Sequence, residues 1–395
     1  MPAVKTAKTM LAFSFLALAA CQVGAQPGSG TRAGLVDIEQ TALVSGTPIP
    51  RFKADTAWPQ LPENWVIGQV AGLSTDREGN IWLVHRPHSV RDPGPTRQPA
   101  PTVLRLSPEG KVLAAWDGKS TAPEIDGVNQ FPASTHGVFV DAEDNVWIGG
   151  NGKDDHVVVK YSMDGKYLGQ FGTRGATGGN LDKAKLGGPA DIYRHNDELL
   201  IADGYINKRV ITFDAKSDAF RRFWGAYASA PDAPARQGDF DQSMAASTAD
   251  GGANPRSPMF GDIVHCVVKS SNGDLYVCDR RNNRIQMFRD GPDGKAVFVK
   301  DILIAPETGG LRTVSDVAFS PDETYMYVTD MENGRVWTLL RETHQIIGHF
   351  GKANGKGPAE FIWLHSMVTD RDGNIYTSEV NQGQRVQKFV FTGIE

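Results

Sequence analysis

Three cysteines in 395 residues are too few for a disulfide framework. Beyond Cys21, near the N-terminus, only Cys266 and Cys278 remain. They could pair in an oxidising compartment, but the reading preferred is two small buried residues in adjacent strands. Positive charge is nowhere concentrated, and the formal net charge is −5, which argues against nucleic acid as a partner. Long apolar runs are also missing. The one that stands out, "MLAFSFLALAAC" at 10–21, is too short to span a bilayer as a mature helix.

That run follows Lys5 and Lys8, the pattern of an export signal. "LAAC" at 18–21 resembles the lipobox of bacterial lipoproteins, which would make 1–20 a signal peptide and put a lipid on Cys21. Cleavage after "VGA" at 23–25 is the alternative. Either way the chain is expected to be exported, to the periplasm or outer surface, with that lipid as its only membrane attachment. Loss of Lys5 and Lys8 would take the net charge to −7. Residues 21–46, beginning "CQVGAQPGSGTRAGL", are expected to be a tether.

What the chain does have is repetition. "AGLSTDREGNIWLVHR" from 71, "HGVFVDAEDNVWIGGN" from 136, "PADIYRHNDELLIADG" from 189, "HCVVKSSNGDLYVCDR" from 265, "SDVAFSPDETYMYVTDM" from 315 and "HSMVTDRDGNIYTSEV" from 365 share one plan: strand, polar turn, strand. Each is followed by a further strand, such as "KRVITFD" or "NRIQMFRD". Short strands recurring about every 50 residues indicate propeller blades, and the units resemble NHL repeats. The fold expected over 47–395 is an all-β, six-bladed β-propeller. Its last blade lacks an outer strand, so "TPIPRFKADTAW" at 47–58 is expected to close the ring. Two inserts interrupt the rhythm, one after the second strand of blade 1 and one at 226–259, either a lid or simply a disordered loop. A tethered propeller of this kind is expected to be monomeric. The turns "DREGN", "DAEDN" and "DRDGN" lack the length and terminal Glu of a calcium loop and read as β-turns.

The first position of the inner strands is Ala71, His136, Pro189, His265, Ser315 and His365. Inner strands line a propeller's channel, so the histidines of blades 2, 4 and 6 should converge with near three-fold symmetry. Three imidazoles around one point make a metal site with open positions, for which zinc leads and iron, manganese or cobalt also fit. The bland alternative is three histidines that each satisfy a hydrogen bond at the channel mouth. The ends of the second strands form another ring, Arg86, Asn151, Gly204, Arg280, Met331 and Val380, with Tyr205 after Gly204. Two guanidinium groups and a phenol around a metal suit a small anionic or peptide-derived substrate.

"ADGYINKRVITF", "VHCVVKSSNGDLYVCDRRNNRIQMF", "HGVFVDAEDNVW" and the "HR" at 85–86 resemble the peptidyl-α-hydroxyglycine α-amidating lyases, over about 65–391. The resemblance implies zinc on His136, His265 and His365, Tyr205 as catalytic base, and Arg86 and Arg280 in support. It also implies a reaction in which a carbinolamide is split into a primary amide and glyoxylate. The family's third zinc histidine lies in a Met-Pro-His-Asp segment whose Asp helps hold calcium. Here the segment is "WLHS", with Trp363 and Ser366 at those places, so calcium does not carry over and the pocket changes shape. Ile206 stands where the family has a cysteine beside its tyrosine.

Three functions fit these residues. The leading one is an exported zinc-dependent carbon–nitrogen lyase. A metal-dependent hydrolase or lactonase would use the same site to make hydroxide. A non-enzymatic propeller binding peptide or glycan would need the histidines only structurally.

Overall fold

The computed structural model describes residues 34–232, 257–261, 263–308 and 312–395. The expected signal peptide 1–20, Cys21 with its lipid, the start of the tether and residues 233–256 of the 226–259 insert lie outside the described residues.

Six antiparallel sheets follow one another along the chain. Blade 1 is Gln69–Thr75, Ile81–Arg86, Val103–Leu106 and Val112–Trp116; blade 2 is Thr135–Val140, Asn145–Gly150, Val157–Ser162 and Tyr167–Gly172. Blade 3 is Pro189–His195, Glu198–Asp203, Arg209–Asp214 and Phe220–Trp224; blade 4 is Val264–Lys269, Leu275–Asp279, Arg284–Asp290 and Ala296–Leu303. Blade 5 is Asp316–Phe319, Tyr325–Asp330, Arg335–Leu340 and Ile346–Phe350, and blade 6 is Leu364–Thr369, Ile375–Glu379 and Arg385–Ile394. The inner strands touch in sequence, and that of blade 6 touches that of blade 1, so the ring is closed.

Closure uses the N-terminal strand as expected: Pro50–Asp55 pairs antiparallel with Arg385–Ile394, setting Phe52 opposite Phe391. The tether is shorter than expected. Leu35–Asp37 adds a fifth strand to blade 6, and Gln40–Ala42 a fifth to blade 5. Sheet edges present unpaired N–H and C=O groups, and the start of the ring covers two of them.

The core is divided into six apolar clusters, one at each junction between blades. Successive side chains of a strand face opposite neighbours: Leu199 and Ile201 pack toward blade 2, while Leu200 and Ala202 pack toward blade 4. This is why the middle strands read as continuous apolar runs. The acidic turns are β-turns: Asp141 accepts from the Asn145 N–H at 2.9 Å and from the Trp147 indole at 2.9 Å.

Cys266 and Cys278, expected to be unpaired, form a disulfide. They sit directly opposite one another on the first two strands of blade 4, with Cα atoms 4.8 Å apart, within bonding range.

Buried ion pairs fasten the connections between blades. Asp203 and Arg209 meet at 2.9 Å with both side chains fully buried. The guanidinium also donates to the carbonyls of Asn180, Asp182 and Lys185 in the preceding loop. Removing one member strands the other without compensation. Arg209→Ala should therefore cost about 3–5 kcal/mol in urea unfolding; a loss below about 1 kcal/mol would be the behaviour of a solvated surface pair.

Candidate functional site

Five of the six inner strands slip register near their start: between Val70 and Gly72, Thr135 and Val138, Pro189 and Asp191, Val264 and Cys266, and Leu364 and Ser366. A bulge leaves a residue out of the ladder and re-aims its side chain. His136, His265 and His365 lie in the slips of blades 2, 4 and 6. In blade 3 the equivalent residue is Ala190, not Pro189, because the blade 3 turn is shorter. The hydrogen bonds confirm this register. His136 Nδ1 meets the Ala190 carbonyl at 2.6 Å, His265 Nδ1 that of Ser315 at 2.6 Å, and His365 Nδ1 that of Ala71 at 2.8 Å.

A carbonyl only accepts, so each Nδ1 carries the proton and each Nε2 is left with a lone pair. Those lone pairs converge. His265 Nε2 and His365 Nε2 are 3.2 Å apart, and one ligand atom from each of the three lies within 4.8 Å of the others. Two imidazole nitrogens at that distance, with no hydrogen between them, repel unless a cation lies among them. The three side chains could therefore hold a metal ion, and their donor set fits one that accepts nitrogen. All three imidazoles are held well below the ordinary histidine range. Burial is the first cause; the positive charge of Arg280 or Arg86 adds to it at all three, as do neighbouring histidines at His136 and His265. Neutral imidazole is the form that ligates.

Carboxylates at the end of the second strand, or in the loop after it, hold the segments leading into these histidines. Asp155 accepts from the N–H groups of Ala133 and Ser134 at 3.0 and 2.7 Å, before His136. Asp279 accepts from Gly261 at 2.8 Å, before His265, and Glu379 from Ile362 at 2.6 Å, before His365. Each carboxylate is tied to an arginine, Arg174, Arg284 and Arg385 respectively.

Tyr205, Arg86 and Arg280 come together with the histidines. The Tyr205 hydroxyl lies 2.8 Å from His136 Nε2 and donates to it. The Arg280 guanidinium is over the Tyr205 ring, 6.0 Å from its centroid. Arg86 is fixed by three acceptors: the Thr135 carbonyl at 3.0 Å, Gln69 at 2.7 Å and Asn151 at 3.0 Å. Its strand end is pinned by Ser89, which donates to the Arg86 carbonyl at 2.6 Å. Trp363 adopts a left-handed backbone, φ 60°, two residues before His365, with Arg312 stacked 4.8 Å from its ring centroid. Ser366 donates to Asp316 at 2.8 Å and accepts from the Leu73 N–H at 3.3 Å. The described ends of the 226–259 insert both reach Arg284, through the Tyr227 hydroxyl at 2.7 Å and the Met259 carbonyl at 3.1 Å.

Asp191 and Asp316 were not anticipated. They line a channel cavity of about 460 Å³ that runs from the three histidines along the inner strands to the exposed Pro321 and Arg371. Tyr205, Arg86 and Arg280 do not line it and lie on the other side of the histidines. Burial, and then the charge of Asp316, raises the Asp191 carboxyl well above its usual range; burial pushes Asp316 up to about 6. Their sequence signal was the position just after the histidine register, hidden in blade 3 by the one-residue misplacement.

The family model for the NHL repeat matches residues 264–288, in blade 4. NHL repeat-containing protein 3 of Mus musculus is 25% identical over 350 residues, covering 86% of this chain and 84% of that protein. Peptidyl-alpha-hydroxyglycine alpha-amidating lyase 1 of Drosophila melanogaster is 26% identical over 366 residues, covering 85% of this chain and 59% of the relative. Among solved structures, a gluconolactonase of Xanthomonas campestris superposes with a TM-score of 0.53 at 11% identity, covering 91% of this chain and 97% of that one, a likeness of fold alone. The chain is thus a six-bladed propeller with NHL-type repeats, resembling both the NHL repeat-containing proteins and the α-amidating lyases along most of its length.

Proposed function

We propose that the protein is an exported, zinc-dependent carbon–nitrogen lyase acting on a carbinolamide beside a carboxylate, and that it releases an amide and glyoxylate. The observation that carries this reading is the Tyr205 hydroxyl 2.8 Å from His136 Nε2, within a cluster of three imidazoles whose protons all face away from the axis. Histidines with a merely structural role would not need their free lone pairs turned on one another and on a phenol. Similarity to the α-amidating lyases over most of the chain supports the same reading. The Cys266–Cys278 bond and the N-terminal apolar run support export.

A divalent cation on the three imidazoles would supply Lewis acidity to a substrate hydroxyl. The chain's own groups do the rest. Tyr205, as its phenolate, takes the hydroxyl proton; the carbon–oxygen double bond forms as the carbon–nitrogen bond breaks. The bonding pair leaves on the amide nitrogen, which takes the proton that Tyr205 accepted. Arg280, over the Tyr205 ring, stabilises negative charge on the phenolate or on the substrate carboxylate. Arg86 is tied to Thr135, the residue before His136, so it orients the ligand strand as well as adding positive charge.

Two measurements check this. Purified protein should carry about one zinc per chain by mass spectrometry, lost in His265→Ala; a wild-type chain that neither carries nor takes up metal would sink the lyase reading and leave a binding module. Glyoxylate release from α-hydroxyglycine-capped peptides should fall about 100-fold or more in kcat for Tyr205→Phe, with the zinc retained. Hydrolysis of lactones by the wild type, untouched by Tyr205→Phe, would instead point to a metal-dependent hydrolase.

A further inference from the structure

The two sides of the three histidines differ in charge. On one side stand Tyr205, donating to His136 Nε2, and the guanidinium groups of Arg86 and Arg280. On the other side is the channel, with Asp191 in blade 3 and Asp316 in blade 5 one residue beyond the ring that holds the histidines. Its volume of about 460 Å³ gives room for about fifteen water molecules. A hydrated ion can therefore occupy it.

Each aspartate also ties its blade to the next. Asp191 accepts from the Val267 N–H at 3.0 Å, and Asp316 from the Met367 N–H at 2.9 Å. That link does not require charge: Ser366, at the same position in blade 6, makes it with a hydroxyl, accepting from the Leu73 N–H at 3.3 Å. Two carboxyl groups enclosed in one channel repel each other, which favours a proton or a cation beside them. Backbone donors and, for Asp316, the Ser366 hydroxyl at 2.8 Å hold these oxygens in place, and a carboxylate oxygen with a lone pair left over is a ligand for which an ion can exchange water. The channel is also lined by Asp76, Glu323, Asp370 and Arg371.

We propose that the divalent cation reaches the three histidines through this channel, and that Asp191 and Asp316 are the relay that receives it. The proposal rests on the reading of the three histidines as a metal site. A cation coming from the other face would pass two guanidinium groups of its own sign, and the phenol bonded to His136. From the channel it meets carboxylates first and imidazoles last, with water giving way in steps.

The test is the rate at which protein stripped of metal takes up Co2+, whose visible absorption reports arrival at the three nitrogens. Asp191→Asn with Asp316→Asn keeps one side-chain carbonyl at each place to accept the inter-blade N–H of Val267 or Met367 while removing the charge. Uptake should slow about tenfold or more, and its decline with rising ionic strength should flatten. The single Asp191→Asn, which breaks less of the inter-blade network, should slow uptake by a smaller factor and serves if the double variant fails to fold. Uptake within about twofold of wild type, with the salt dependence intact, would overturn the route and leave the metal site standing. No Co2+ bound by the wild type would overturn both.

Discussion

Each of the three histidines at the axis donates its Nδ1 proton to a carbonyl in the next blade, and the candidate site depends on that bond. It selects the tautomer, and so decides that three lone pairs rather than three N–H groups face one another. Because every such bond crosses a blade junction, the site exists only in the closed ring. Closure in turn uses the chain's start, where Pro50–Asp55 completes blade 6 beside the C-terminal strand. A segment more than 300 residues away in sequence therefore helps hold His365 against Ala71.

The carboxylate–arginine pairs work at the next level out. They hold the segments before the inner strands, where a histidine follows in blades 2, 4 and 6 but Ala190 follows in blade 3. The device thus belongs to the repeat, and the histidines stand on it at alternate blades. Propeller geometry makes this economical: residues of one register in alternate blades become neighbours around a point, with none of them near the others in the chain.

Around that point charge is arranged by side. Arg86 and Arg280 lie with Tyr205 where strands end, and Asp191 and Asp316 lie along the channel. The arginines act on the imidazoles from one side and the aspartates line the other, so an anion and a cation would find separate favourable faces.

Much of this was legible in the chain alone. Strand-turn-strand units recurring about every 50 residues, with two inserts between them, determined the six blades. Histidines at one register in alternate units determined that side chains far apart in sequence would meet, because an inner strand always faces the axis. Local pattern could not show the tautomers, which depend on carbonyls supplied by other blades. Nor could it show the disulfide, since cysteines twelve residues apart bond only if the turn between them sets them opposite. The start of the ring at Leu35 was hidden because edge strands of three residues carry no periodicity. Asp191 needed the bulge position in blade 3, where a shorter turn displaced the register by one. Such one-residue shifts turn a side chain from a blade junction to the channel, and only the hydrogen-bonded ladder decides them.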